Sequence, residues 1–331
     1  MNSKFFANKT ILITGGTGSF GKKFTETVLK KYNLKKIIIF SRDELKQSEM
    51  AEEFCKYKKK LRFFIGDIRD LARIKLALKK VDIVVHAAAL KQVPTAEYNP
   101  FEVIKTNILG TQNVIDAIIE SEVKAAIALS TDKAAAPINL YGASKLAADK
   151  IFIAANHYSD KNFAVVRYGN VLKSRGSVVP LFLKQSISGT INITDRRMTR
   201  FSIALEEGVN FVIKCFENMW GGELFVPKIP SYKILDVAAA IAPKCKIKFI
   251  GLRPGEKMHE EMITAADSFN TIEFEKYFVI LPSSHEFLKW NIKDFLNKSD
   301  TKPGKFCKEG FSYNSFDNKE YLNLTQLKKL I

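Results

Sequence analysis

The chain has 331 residues, 46% of them hydrophobic, and a formal net charge of +17 with a pI near 9.5. That length and apolar content suffice to bury a sizeable core, in two domains or one large one. The aliphatic runs fall short of the roughly 18 to 20 uncharged residues that a membrane span needs, and the opening Met1-Asn2-Ser3-Lys4 lacks the apolar region of a signal peptide, which points to the cytoplasm. The charge invites a nucleic-acid reading, but its distribution argues against one. From Lys22 to Lys80 there are 18 Lys and Arg against 8 Asp and Glu, so more than half of the excess lies in one stretch. The run Lys56-Tyr57-Lys58-Lys59-Lys60 within it reads as the solvated end of a helix. An acidic ligand such as a nucleotide or diphosphate would use only a few of these charges.

In chain order, Thr10–Thr14 reads as a buried strand, followed by Gly15-Gly16-Thr17-Gly18-Ser19-Phe20-Gly21 and a helix over 20–31. Strands are expected at 36–40, 61–65, 81–86, 125–129 and 163–168, with helices at 71–78, 100–121 and 139–156 between them. Strands that are apolar throughout and alternate with helices imply right-handed βαβ units and a parallel sheet covered on both faces. After Tyr168 the rhythm changes: 169–204 is loop-rich, 221–227 is expected to rejoin the sheet, 228–281 forms short mixed elements, and 283–331 is polar and irregular. The expected fold is α/β, a Rossmann doubly wound parallel sheet with a smaller mixed α/β substrate domain. The cofactor domain would take 1–170 and about 205–228, and the substrate domain about 171–204 and 229–331.

The glycine loop sits directly between a strand and a helix, where glycines allow a tight turn and a close approach of the backbone to a pyrophosphate at the helix N-terminus. The second strand ends Phe40-Ser41-Arg42-Asp43. A carboxylate here would bind a ribose 2′-hydroxyl, as in NAD, whereas Arg42 suits a 2′-phosphate; Arg42 favours NADP and Asp43 keeps NAD open. Asp67 ends the third strand, where an adenine amino group could be read, and the small residues Ala87, Ala88 and Ala89 follow the fourth. Tyr141 and Lys145, four apart on one helix face, form a pair in which the ammonium would lower the phenol pKa from about 10. Ser130-Thr131-Asp132-Lys133 precedes them. The four cysteines and four histidines are scattered without metal-ligand spacing, so no metal site is expected.

The stretches ITGGTGSFG, SRDELKQ, GDIRD, HAAALKQVP, STDKA, YGASK, RYGNV and GLRPGEKMHEE, spread over residues 10–262, resemble the extended short-chain dehydrogenase/reductase superfamily. More narrowly, the chain resembles the inverting UDP-N-acetylglucosamine 4,6-dehydratases that begin pseudaminic acid synthesis. The Asp132-Lys133 pair carries the distinction, since sugar 4-epimerases of this fold usually have no acid/base pair there. The resemblance implies that Tyr141, with Lys145 and Thr131, opens the reaction at C4, that Lys133 takes the C5 proton, and that Asp132 protonates the leaving 6-hydroxyl. Which of Asp132 and Lys133 makes each transfer stays open.

It also implies NADP contacts from Gly15, Thr17, Gly18, Ser19, Phe20, Gly21 and Lys22 in the first loop and helix, and from Ser41, Arg42, Asp43 and Lys46 after the second strand. Further contacts would come from Asp67 and Ile68, from Ala87, Ala88, Ala89 and Lys91, and from Leu129, Ser130, Tyr141 and Lys145. UDP-N-acetylglucosamine would meet Ala87, Lys91, Thr131, Tyr141, Asn170, Lys173, Thr199, Arg200, Arg253 and Met258, with Lys173, Arg200 and Arg253 on the diphosphate. A homo-oligomer, dimer-based and up to a hexamer, is implied as well. The rival readings are a UDP-sugar 4-epimerase and a non-catalytic NADP-binding regulator.

Overall fold

The computed structural model describes residues 5–172, 177–298 and 302–331. Its first half is a run of parallel strands and covering helices. Strands β1 (Thr10–Thr14), β2 (Lys36–Ser41), β3 (Leu61–Ile65), β4 (Ile83–His86), β5 (Ala125–Thr131) and β6 (Asn162–Tyr168) lie in the order β3-β2-β1-β4-β5-β6. Their β-branched and aromatic residues are sealed on both faces; Ile11, Ile13, Ile37, Ile39, Val84 and Val85 are all fully buried. The order reverses direction between β1 and β4, and that switch point opens a crevice at the carboxyl ends of the strands.

Helices α1 (Ser19–Lys31), α2 (Glu44–Glu53) and α3 (Leu71–Ala77) cross over between the first four strands. The single helix expected over 100–121 is divided. Helices α4 (Val93–Tyr98), α5 (Pro100–Ile104) and α6 (Gly110–Ile119) follow one another, with Lys105–Leu109 as a π-turn between the last two. Pro100 has no backbone N–H to continue the ladder of the preceding turn, which separates α4 from α5. The wide turn after α5 places Asn107 where its side chain bonds both the N–H and the carbonyl of Leu90, at 2.8 and 2.9 Å. Helix α7 (Leu140–Ala154) starts at Asn139, whose side chain accepts from Gly142 N.

Beyond β6 the chain adds Leu224–Pro227 in parallel to β6, as expected, and then three antiparallel strands, Tyr277–Ile280, Thr271–Glu273 and Lys305–Phe306. The central sheet thus has ten strands, and a boundary at 229 does not follow it: residues 271–280 and 305–306 continue the hydrogen-bond ladder of Leu224–Pro227. The polar tail is folded rather than trailing. Trp290 stacks on the buried Phe295, Tyr313 hydrogen-bonds both backbone groups of Ile229, and the helix Leu324–Leu330 packs on Ile234–Ile241.

A second, smaller core gathers Val179, Phe182, Ile191, Ile193, Met198, Tyr232 and Val237. It supports small sheets built from Thr199–Ile203 with Ser231–Lys233 and from Thr190–Ile193 with Lys246–Phe249. Among the described residues no helix is long and apolar enough to cross a membrane, and no group of His, Cys, Asp and Glu could hold a metal ion.

Candidate active site

A cleft of about 570 Å³ runs along the carboxyl ends of the parallel strands. At one end the loop after β1 turns into α1. Gly15 has φ +64°, and a Cβ there would come within 2.9 Å of the Ala88 backbone. A Cβ on Gly21 would lie 2.3 Å from the Gly16 carbonyl oxygen. Glycine is therefore demanded twice, once by conformation and once by close packing of helix on loop. No side chain caps the first turn of α1, and no acidic residue occupies it, so its N–H groups face the cleft as free anion donors. A dinucleotide pyrophosphate fits this cradle.

The neighbouring wall is formed by Ser41, Arg42, Asp43 and Lys46. Gln47, buried beneath them, donates to the carbonyl and hydroxyl of Ser41 and to Phe64 O, at 2.9, 3.1 and 3.2 Å, and so fixes the end of β2. Asp43 caps α2, accepting from Lys46 N at 3.0 Å, and its other oxygen pairs with the Lys46 ammonium. Asp67 carries Arg69 at 2.8 Å and Arg42 at 3.5 Å. Burial works to raise the Asp67 carboxyl, but the hydrogen bonds from Arg69 outweigh it and hold it low.

His86, at the end of β4, is neutral. Burial, with Lys145 nearby, depresses its pKa to about 3. The Thr14 hydroxyl receives the N–H groups of Ala87 and Ala88, so its own proton goes to His86 Nδ1 at 2.8 Å. The Nε2–H then donates to Thr111 Oγ1 at 3.0 Å, and Thr111 in turn donates to Asn107 O. This chain of bonds fixes the loop Ala87–Ala89 that floors the cleft.

At the other end lies a continuous polar chain. The Tyr141 phenol and the Thr131 hydroxyl both line the cleft here, and Thr131 donates to Asp132 Oδ1 at 3.0 Å. Lys133 Nζ is 3.0 Å from the same Asp132 oxygen and 3.1 Å from Glu260 Oε1. Arg200 Nε approaches Glu260 Oε1 at 3.6 Å. Burial, and then the Glu260 charge, raise the Asp132 carboxyl despite Lys133. For Glu260 burial is outweighed by Lys133 and Arg200, so that carboxyl is lowered. Lys133 is raised, because Asp132 and Glu260 together overcome its burial. The remaining oxygens, Asp132 Oδ2 and Glu260 Oε2, are buried without a hydrogen-bond partner.

Gly142 makes this end possible. A Cβ there would lie 2.2 Å from the Lys133 carbonyl oxygen, so α7 seats directly on the turn Asp132–Ala134.

A family model described as polysaccharide biosynthesis protein matches residues 11–282. The chain belongs to that family. It is 55% identical, over 98% of both chains, to a Campylobacter jejuni subsp. jejuni serotype O:2 protein named UDP-N-acetylglucosamine 4,6-dehydratase (inverting). A Rickettsia akari protein named UDP-glucose 4-epimerase is 40% identical over 98% of this chain and 96% of its own. The solved structure of Pen from Bacillus thuringiensis superposes with a TM-score of 0.87 at 37% identity, covering 98% of each chain.

The cleft brings together most of the residues singled out from the sequence. Gly15, Thr17, Gly18, Ser19, Phe20, Gly21, Ser41, Arg42, Asp43, Lys46, Asp67, Ile68, Ala87, Ala88, Ala89, Lys91, Leu129, Ser130, Thr131, Asp132, Lys133, Tyr141, Lys145 and Asn170 all line it. Asn170 Oδ1 is buried there without a partner.

Five expected residues do not line the cleft. Lys22 turns outward to Glu53 at 2.8 Å. Thr199 is buried against His259 and Ser315. Arg200, expected on a diphosphate, instead donates to the carbonyls of Thr199, Met258 and Lys257 at 2.7, 3.0 and 2.9 Å and faces Glu256 and Glu260 at 3.6 Å. Met258 packs on the smaller core, and Arg253 is exposed on its loop. Lys173 lies outside the described residues.

The electrostatics of Tyr141 also differ from expectation. Burial raises its phenol to about 12, and the cation that opposes this is Lys133. Lys145 sits beside Asp149 instead, and burial lowers its own pKa. Four apart on a helix sets two side chains on one face, but it does not decide which neighbour each one meets. Glu260 was not singled out, although it stands in the quoted stretch GLRPGEKMHEE; a glutamate next to another glutamate carries no local sign that it will be buried.

Proposed function

We propose that this protein is an NADP-dependent UDP-N-acetylglucosamine 4,6-dehydratase that inverts C5, working as the first step of pseudaminic-acid-type sugar synthesis. The observation that carries the reading is the gathering of Tyr141, Thr131, Asp132 and Lys133 at one end of the cleft, where Asp132 Oδ1 meets the Thr131 hydroxyl and the Lys133 ammonium at 3.0 Å each. The name of the 55% identical relative supports the substrate.

Tyr141 takes the proton of the 4-hydroxyl as its phenolate, a form that burial opposes and the Lys133 ammonium favours. A nicotinamide cofactor, when bound, accepts the C4 hydrogen as hydride and returns it to C6. The C4 ketone acidifies the hydrogen on C5, which Lys133 removes. Asp132 gives its proton to the departing 6-hydroxyl, so the C5–H and C6–O bonds break, a C5–C6 double bond forms, and water leaves. Hydride at C6 and a proton at C5, delivered to the opposite face, complete the inverted 4-hexulose. The cofactor ends as it began and no external reductant enters. Burial raises the Asp132 carboxyl, the direction that suits it as the acid.

Preference for NADP is supported by the wall around the second strand. Asp43, the carboxylate that would bind a 2′-hydroxyl, is engaged as a helix cap and with Lys46, while Arg42 and Lys46 offer positive charge to a 2′-phosphate. We assign the sugar to the part of the cleft where Lys91, Lys133 and Asn170 line it. Exposed Tyr98, Phe101 and Leu109 are apolar surface that a homo-oligomer would cover.

The 40% identical relative named as an epimerase keeps a second reading, 4-epimerisation, in view. Incubation with UDP-N-acetylglucosamine in heavy water followed by mass analysis separates them. Loss of one water with one deuterium at C5 is expected; a product of unchanged mass would establish the epimerase instead.

A further inference from the structure

The reaction asks Asp132 to be an acid and Lys133 to be a base, yet an isolated Asp–Lys contact at 3.0 Å rests as an ion pair, with one proton between two groups and the wrong one holding it. Both roles then compete for the same proton. A third group changes the count. Glu260 Oε1 lies on the far side of the same ammonium at 3.1 Å, and Arg200 closes the row behind it. The row is rigidly built. Glu260 N donates to Ser315 Oγ at 2.9 Å, its carbonyl accepts from Ser315 N at 2.7 Å, and Arg200 is held by three backbone carbonyls.

We propose that Glu260, which nothing above assigns to the reaction, is a positioning residue that shares Lys133 with Asp132, so that the centre holds two protons: one stays on Asp132 for the leaving 6-hydroxyl, and the other passes between Lys133 and Glu260. Glu260 stays out of the cleft lining and acts through Lys133. In the resting state Asp132 is neutral, Lys133 is an ammonium and Glu260 is ionised. When the Lys133 proton moves to Glu260 the amine becomes free to take the C5 proton, and no proton has left the buried row.

The directions of the shifts fit the resting state: Asp132 is raised by burial and then by the Glu260 charge, Glu260 is lowered, against its burial, by Lys133 and Arg200, and Lys133 is raised, so the passage of its proton to Glu260 is a transient, uphill step. The other charged groups do not upset the count. Lys257, on the same loop, donates to Ala135 O, and Glu256 faces Arg200 at 3.6 Å. Tyr232, across from Arg200, is fully buried, and burial raises its phenol to about 12, so it stays neutral. Tyr141 faces Lys133 from α7, His259 is tied to Thr199, and Glu261 lies nearest Lys257.

The inference rests on the dehydratase reading, and the test separates the two. If the wild-type protein removes no water from UDP-N-acetylglucosamine, the reading itself has failed. If it does, Glu260→Gln is compared with it across pH. Asp132 must carry its proton for water to leave, so the step runs below the pH at which that proton is lost. Without the Glu260 charge the proton is held less firmly, and the alkaline limb should move to lower pH by about one unit or more. Turnover at neutral pH should fall about 10²-fold, as for a lost general acid. Oxidation at C4 lies upstream, so reduced cofactor should still appear on the enzyme by absorbance. Glu260→Asp keeps the charge and should restore the position of the limb, and Tyr232→Phe should leave the profile unchanged. A pH profile in Glu260→Gln that superposes on the wild type overturns the proposal. Should Glu260→Gln fail to fold, the infrared difference between wild type and Asp132→Asn at neutral pH decides: a carboxylic-acid band from Asp132 is expected, and its absence overturns the proposal.

Discussion

Gly142→Ala is the substitution whose outcome the packing determines most directly. An added Cβ would stand 2.2 Å from the Lys133 carbonyl oxygen, 3.0 Å from Pro137 Cβ and 3.1 Å from the Lys133 carbonyl carbon. Ordinary contact begins near 3.4 Å, so helix and turn must separate by about 1 Å. Two effects oppose each other. Alanine is the better helix former by roughly 1 kcal/mol, whereas overpacking a rigid backbone contact costs typically 1 to 3 kcal/mol. The oxygen belongs to backbone held between Asp132 and Ala135, and a backbone atom cannot swing aside as a side-chain tip can, so overpacking should win. A net loss of about 1 kcal/mol is expected in urea unfolding.

The larger effect should be on turnover. Tyr141 precedes the glycine and Lys133 carries the clashing oxygen, so a 1 Å separation moves the two groups apart, and a displacement of that size costs on the order of 10²-fold in rate. Cofactor affinity, set mostly by the loop after β1, should change little. Turnover of UDP-N-acetylglucosamine within twofold of wild type would refute the view that α7 is seated on the catalytic turn at its contact limit.

Three further outcomes are expected. Arg42→Ala should erase most of a preference for NADP over NAD measured by calorimetry, and equal affinities in the wild type would remove that assignment. Tyr141→Phe should slow even the first oxidation by roughly 10²- to 10⁴-fold in single-turnover absorbance, because the base for the 4-hydroxyl is gone. His86, with its folded pKa near 3 against about 6.5 for a free imidazole, stays neutral while the unfolded chain takes up a proton. Its contribution is therefore complete above about pH 6.5 and is lost as pH falls towards 3, amounting to roughly 5 kcal/mol across that window. His86→Gln should flatten that part of the stability–pH curve, and an unchanged slope in chemical denaturation would show that the ring is not held neutral.

The parts of the cleft that were legible in the sequence are those whose geometry is local. The glycine loop needs only a strand before it and a helix after it, and the strands β1 to β6 declare themselves by apolar runs that both faces of a covered sheet require. Asn139 capping α7 and Asp43 capping α2 also depend on residues three apart, but neither cap was read from the sequence. The helix expected over 100–121 is divided by the π-turn Lys105–Leu109, a break that periodicity did not reveal.

By itself, the sequence determined the doubly wound sheet, the phosphate loop and the presence of Tyr141, Asp132 and Lys133 at the carboxyl edge, since each follows from short-range pattern and strand order. Only the tertiary structure decided what those groups meet. Arg200 reads as a phosphate ligand until three carbonyls are found around it, and Glu260 reads as surface until it lies 3.1 Å from Lys133, 127 positions away in the chain. Tyr141 was expected to answer to Lys145 and answers to burial and Lys133 instead. A side chain's identity sets which protons it can hold, but its proton affinity depends on solvent exclusion and on charges within a few ångströms, and segments distant in sequence supply both.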